Sequence, residues 1–164
     1  MSREIQTAPA DEISRLRRDA ALGSADAQYR LAMRHIYGQG VPEDNVLAFS
    51  LLEKAAAQDH IEAAYALAIC FHYGHGTDVS LETALQLYIR CAQAGHGKGM
   101  EVTGRFYNRG IAVPRDREKA EYWLGKALES GDPDAAEEAE RELRYGAAQQ
   151  NGQAPAKKAG PLNN

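Results

Sequence analysis

Cys70, His72, His75 and Asp78 lie within nine residues of one another. Thiolate, imidazole and carboxylate are the groups that hold zinc, so their convergence around one turn would make a metal site. The pattern speaks against it. Cys70 falls on the alanine- and leucine-bearing side of its segment, whereas His72 points the other way, and His75 stands where an equivalent turn upstream carries Gln39. No metal and no cofactor is expected. There is also no nucleophile elbow, no phosphate-binding Gly-Lys-Ser/Thr loop and no dinucleotide fingerprint. Glycines that would suggest a phosphate loop recur at one fixed interval, which marks them as helix terminators. His35 sits in an aromatic column and reads as a packed, hydrogen-bonded histidine. His60 and His96 occupy equivalent turns and read as surface or cap residues. The expectation is a chain without catalytic activity.

The interval that organises these residues is 36. Ala63 to Gly76, AAYALAICFHYGHG, restates Ala27 to Gly40, AQYRLAMRHIYGQG, and Gly110 continues the column of Gly38 and Gly74. Small and apolar columns run in parallel: Ala48, Ala84 and Ala120; Leu52, Tyr88 and Leu124; Ala55, Cys91 and Ala127. Self-similarity at a fixed period is the mark of a stacked repeat architecture. Within each unit Ala27, Leu31 and His35 recur every four residues, a helical stripe. A glycine pair then frees the backbone for positive φ, and Asp44 is a candidate N-cap for a second helix. Helices are expected near 25–37, 45–57, 61–73, 81–93, 97–109 and 117–129. Residues 11–22 form an N-terminal capping helix in the register of a missing repeat. Asp132-Pro133 opens a charged C-terminal capping helix that Gly146 closes. Residues 1–10 are expected to be a flexible N-terminus and 147–164 a disordered tail.

The pattern Ala63-xxx-Leu67-Ala68-xx-Phe71-xx-Gly74-x-Gly76, followed by Ala84, Tyr88, Cys91-Ala92 and Gly95, resembles the Sel1-like repeat family, the short-period relatives of tetratricopeptide repeats. The third copy departs from it at Ala112, where the family prefers a second turn glycine. The second copy has Thr77-Asp78-Val79-Ser80 in place of Val-x-x-Asp. The resemblance implies an all-α, right-handed α-solenoid: three full helix-turn-helix repeats plus the two capping helices. It also implies a role in protein–protein contacts, as an adaptor or scaffold or as an immunity protein that neutralises a bacterial toxin effector. Hydrolysis of β-lactam-like substrates, linked with cysteine-stapled members, is disfavoured because the cysteine pattern and a suitably placed serine are both missing.

Composition sets the remaining bounds. At 164 residues with 44% hydrophobic content the chain can bury one continuous core. Cys70 and Cys91 sit roughly 10 Å apart along their hairpin, beyond disulfide reach, and read as small buried thiols. That usage, and the lack of a secretory h-region or a membrane-length apolar run, points to the cytoplasm. Charge is uneven: the first repeat is −1, the second −3, the third +3 and the end helix −5. The total of −4 disfavours nucleic acid and membrane surfaces as partners. A monomer is expected, since the acidic last helix would repel a stacked copy.

By analogy with tetratricopeptide solenoids, the first helix of each hairpin lines the concave side. Its inward positions include Tyr29, Met33 and Tyr37 in the first repeat. Tyr65, Ile69, His72 and Tyr73 follow in the second, and Arg105, Asn108 and Arg109 in the third. The face thus runs from aromatic and apolar to basic and polar. Tyrosine and arginine are the types that anchor interfaces. Tyr29 and Tyr65 read as inter-repeat core. Arg105 and Arg109 read as a clamp for a carboxylate of an acidic partner segment, unless the neighbouring acidic helix neutralises them.

Overall fold

A computed structural model of the chain describes residues 10–150. The described residues form eight helices and no strand: α1 (Ala10–Ala21), α2 (Ala25–Tyr37), α3 (Asn45–Ala56), α4 (Ile61–Tyr73), α5 (Leu81–Gln93), α6 (Gly97–Arg109), α7 (Arg117–Leu128) and α8 (Pro133–Gln150). Three hairpins, α2–α3, α4–α5 and α6–α7, stack between α1 and α8. Each helix packs on the next in sequence, and α6 also packs directly against α8, a closeness that α2 and α4 do not share.

Local chemistry sets the boundaries. Gly38, Gly74 and Gly110 end the first helix of each hairpin in the left-handed region, at φ of 62°, 77° and 68°. Asp44, Ser80 and Asp116 open the second helices, each side chain accepting from the backbone N–H three residues on. Ser80 therefore replaces the aspartate that the second copy lacks. Ser24, His60 and His96 open the first helices in the same way. His60 and His96 cap through Nδ1, so that nitrogen is the unprotonated one. Ala112 adopts φ 60° where Gly40 and Gly76 sit in the other copies, and Asp59 adopts φ 61° in the column of Gly23, Gly95 and Gly131.

The small columns bring the helix axes together. Ala32, Ala68, Ala55, Cys91 and Ala127 are fully buried, as are Leu52 and Leu124. Gly104 faces Leu124 so closely that an added Cβ would lie 2.6 Å from its Cγ. Both cysteines are free and buried. Burial pushes each thiol up to about 11. His35 is buried, and its Nδ1 donates to the Pro42 carbonyl at 2.9 Å. Trp123, in the column of Leu51 and Leu87, is half-buried, with Tyr122 edge-on to its ring.

One boundary differs from expectation. Gly146 does not end the last helix, which continues through residues 147–150. Its role is close packing: a Cβ at Gly146 would stand 2.8 Å from Asn108 Oδ1 on α6. Of the expected flexible terminus 1–10 and disordered tail 147–164, Ala10 opens α1 and residues 147–150 extend α8, while 1–9 and 151–164 lie outside the described residues.

Candidate binding face

The four residue groups expected on the inner face have different fates. Tyr29 and Tyr65 belong to the stack itself. Tyr29 lies against the His60 ring at 4.9 Å and Tyr65 against His96 at 4.5 Å, so each joins its own repeat to the turn that opens the next. Burial raises the Tyr29 phenol, and it pushes that of Tyr65 up to about 12, with Glu101 adding to the shift.

Met33, Tyr37 and Ile69 line an open cleft of about 320 Å³ between the C-terminal ends of α2 and α4. Ala66 and Cys70 form its floor on α4, and Glu43 stands at its lip. Tyr37 remains 63% exposed, which leaves its ring available beside an apolar opening. The cleft lies where the turns of the first two hairpins are held at a fixed spacing. Gly76 lies so near the start of α3 in the preceding hairpin that a Cβ there would come 2.1 Å from the Asn45 carbonyl oxygen. Only glycine permits that approach.

His72, Tyr73 and Arg105 continue the face toward the third repeat. The His72 and Tyr73 rings stack at 4.4 Å and nearly parallel, while Tyr73 stays 62% exposed. His72 Nδ1 is 3.2 Å from the Tyr88 hydroxyl, and its ring meets Phe106 edge-on at 5.2 Å. Burial, then the Arg105 charge, lowers the His72 pKa, so the ring is neutral near pH 7. Arg105 Nε stands 3.6 Å from Glu101 Oε1, near enough for attraction and too far for a hydrogen bond. That buried oxygen has no hydrogen-bond partner. Burial raises the Glu101 carboxyl, opposed by Arg105.

Asn108 and Arg109 are taken up inside the chain. Asn108 is buried, and its Nδ2 donates to Glu142 Oε1 at 2.8 Å and to the Glu142 carbonyl at 3.0 Å. Arg109 donates through Nε at 2.9 Å to Oε1 and through Nη2 at 2.6 Å to Oε2 of the same carboxylate. Its guanidinium also lies 4.9 Å over the Tyr145 ring. Of the two-arginine clamp, Arg105 is the member without a carboxylate held at bonding distance. The basic excess of the third repeat is offset by α8, as Lys98 pairs with Asp134 too.

The zinc-like constellation is not assembled. Cys70 is in the cleft floor, His72 is engaged by Tyr88, and His75 is exposed near Tyr73. Among the described residues no group of three His, Cys, Asp or Glu side chains could hold a metal ion. Sequence reasoning did not place Ala66, Cys70 or Glu43 on the inner face. The usable signal was in the columns: Cys70 aligns with Phe106 and Ala66 with Val102, so this one copy is small where the next is large.

Stacked helical hairpins with an apolar and aromatic inner face define an α-solenoid of the protein-interaction kind. The chain belongs to the Sel1 repeat family, whose repeat matches residues 25–60, 61–96 and 98–132. Such repeats are typically protein-interaction modules. A chitin synthase regulator of Malassezia restricta is 34% identical over 114 residues, covering 68% of this chain and 8% of that protein. Chitin synthase regulatory factor 2 of Schizosaccharomyces pombe is 35% identical over 106 residues, covering 62% of this chain and 20% of its own length. This chain thus spans only a fifth or less of these two relatives. Among solved structures, a Sel1 repeat protein from Oxalobacter formigenes superposes with a TM-score of 0.70 at 28% identity, over 79% of this chain and 98% of that one. A protective antigen of uropathogenic Escherichia coli superposes at 0.72 with 25% identity, over 85% and 34%. No helix among the described residues is long and apolar enough to cross a membrane.

Proposed function

We propose that the chain is a non-catalytic protein-interaction module that binds a protein or peptide partner along its concave face. The observation that carries this reading is the open α2–α4 cleft with Tyr37 on its wall; Tyr73, beside the cleft-lining His75, and Arg105, whose charge acts on His72, extend it as a strip. It offers apolar volume, two exposed rings and one partly exposed guanidinium. Tyrosine presents a large area with few rotatable bonds, and arginine a forked donor for an acidic segment. The fungal relatives are named as regulators of another protein, which agrees with a binding role for the shared repeats.

The test is affinity capture from the native host's lysate by wild type, by a Tyr73→Ala/Arg105→Gln double variant and by Tyr122→Ala, which alters an exposed ring away from this strip. One protein retained by wild type and Tyr122→Ala, and reduced at least tenfold on the double variant with unchanged helical circular dichroism, is the expected result. Equal capture by all three would remove the strip from the site.

A further inference from the structure

One slot recurs wherever a first helix of a hairpin meets its counterpart in the next unit, and the chain fills it differently each time. Between α4 and α6 it is filled by Phe106, fully buried, with its ring edge-on to His72 at 5.2 Å and 5.7 Å from Tyr88. Val102, one turn earlier, is buried beside it. Between α6 and α8 the same column holds Glu142, buried and bound by Asn108 and Arg109. Between α2 and α4 the column holds Cys70, and Ala66 takes the place of Val102. Neither side chain reaches across, and the space persists as the 320 Å³ cleft. Apolar walls left open in this way lack contacts that an entering side chain of matching size would supply. Collapse is blocked here by the backbone contact of Gly76 with Asn45, which fixes the spacing of the two turns.

The cleft lining holds one carboxylate, Glu43, and no lysine or arginine. Glu43 at the lip is in no ion pair among the described residues and accepts only a long bond from Asn45. Arg34, next in sequence to the cleft-lining Met33, is already paired with Glu12. The second repeat carries four acidic residues against one basic.

We infer that this slot receives a phenylalanine-sized apolar side chain of a protein partner, flanked by a lysine or arginine that pairs with Glu43. The partner supplies in trans what α6 supplies for the next slot with Phe106. The inference rests on the concave-face reading and specifies its first anchor.

The experiment uses the full ¹⁵N-labelled chain, titrated to millimolar concentration with capped Lys-Phe-Lys, Glu-Phe-Glu and Lys-Ala-Lys tripeptides. Lys-Phe-Lys should shift the amides of Met33, Ile69 and His75. Glu-Phe-Glu should do so at least fivefold more weakly, and Lys-Ala-Lys not at all. Cys70→Phe should fill the slot from within and weaken the Lys-Phe-Lys shifts at least tenfold in a still well-dispersed spectrum. Should that variant misfold, Glu43→Lys, a change at an exposed residue, should invert the preference between the two phenylalanine peptides. Three results would overturn the inference: no shifts at these amides, equal response to all three peptides, or contacts from residues 151–164 to Ile69 in the free chain. Shifts confined to Tyr73 and Arg105 would also overturn it, while leaving the broader concave-face reading to its own capture test.

Discussion

Asn108 Nδ2 and the Arg109 guanidinium converge on the Glu142 carboxylate, and the three residues are not equally dependent on it. The Arg109 side chain is 45% exposed, so on losing its partner it can turn to water. Asn108 cannot, because it is buried between α6 and α8. Removing one member of a fully buried ion pair costs about 3–5 kcal/mol, and leaving a buried amide without its acceptor about 1–3 kcal/mol. With the arginine half-solvated, the second figure governs. Glu142→Ala should therefore lower stability by about 2 kcal/mol in urea titration, and Glu142→Gln should recover roughly half by keeping an acceptor for Asn108. An unchanged midpoint for Glu142→Ala would mean that α8 is held by its alanine contacts alone. The same triad shows where the sequence was opaque. Periodicity sets Asn108 and Arg109 in columns expected to face inward, but their partner Glu142 lies more than thirty residues on, in another helix. No local pattern announces it. The cleft is hidden for a related reason: it is a property of small residues, and Ala66 and Cys70 do not suggest a cleft until they are set against Val102 and Phe106.

Helix ends were the legible part, since each is written in a cap residue and its neighbours, with no tertiary information needed. The exceptions are instructive. Gly146 reads as a terminator in isolation, yet the space it saves belongs to Asn108. Ala112 holds a glycine's conformation, which costs a residue with a Cβ about 1–2 kcal/mol. Glycine loses about 0.5–1 kcal/mol through its freer unfolded chain, so Ala112→Gly should stabilise by about 0.5 kcal/mol. Asp59→Gly, at the same backbone geometry, should not, because Asp59 accepts from Arg90 at 2.7 Å. Paired urea midpoints compare the two directly. The histidine caps add a pH dependence. His96 Nδ1 accepts from the Gly99 N–H, which only the neutral ring can do. Burial lowers the His96 pKa; Glu62 and Asp132 push it up and Lys98 pushes it down, without reversing the net shift. The folded pKa is below the unfolded one, so this stabilisation is complete above the unfolded value near 6.5 and is lost as pH falls through the lower folded value. Acidification from pH 7 to 5 should remove about 1 kcal/mol that His96→Asn, a cap without a titrating ring, retains.

At the scale of the whole molecule, stability is a sum of neighbouring contacts, and the two ends are not equivalent. The last helix, α8, packs on both α7 and α6, whereas α1 packs on α2. The attachment of α1 rests on Ile13, Leu16 and Ala20 in the core and on Glu12, whose Oε1 accepts from Arg34 at 3.0 Å. A stack joined only through adjacent contacts opens from its weaker end. Deleting the buried Leu16 side chain removes apolar contact worth about 2–4 kcal/mol at the α1–α2 junction. Leu16→Ala should therefore speed hydrogen exchange throughout α1 and in the part of α2 it covers, while the slowest amides of α6 and α7 keep wild-type protection. A uniform loss of protection from α1 to α8 would instead show that the three hairpins open as one cooperative unit. The cleft between α2 and α4 would then share the stability of the whole stack, and a partner seated in it would be felt as far as α8.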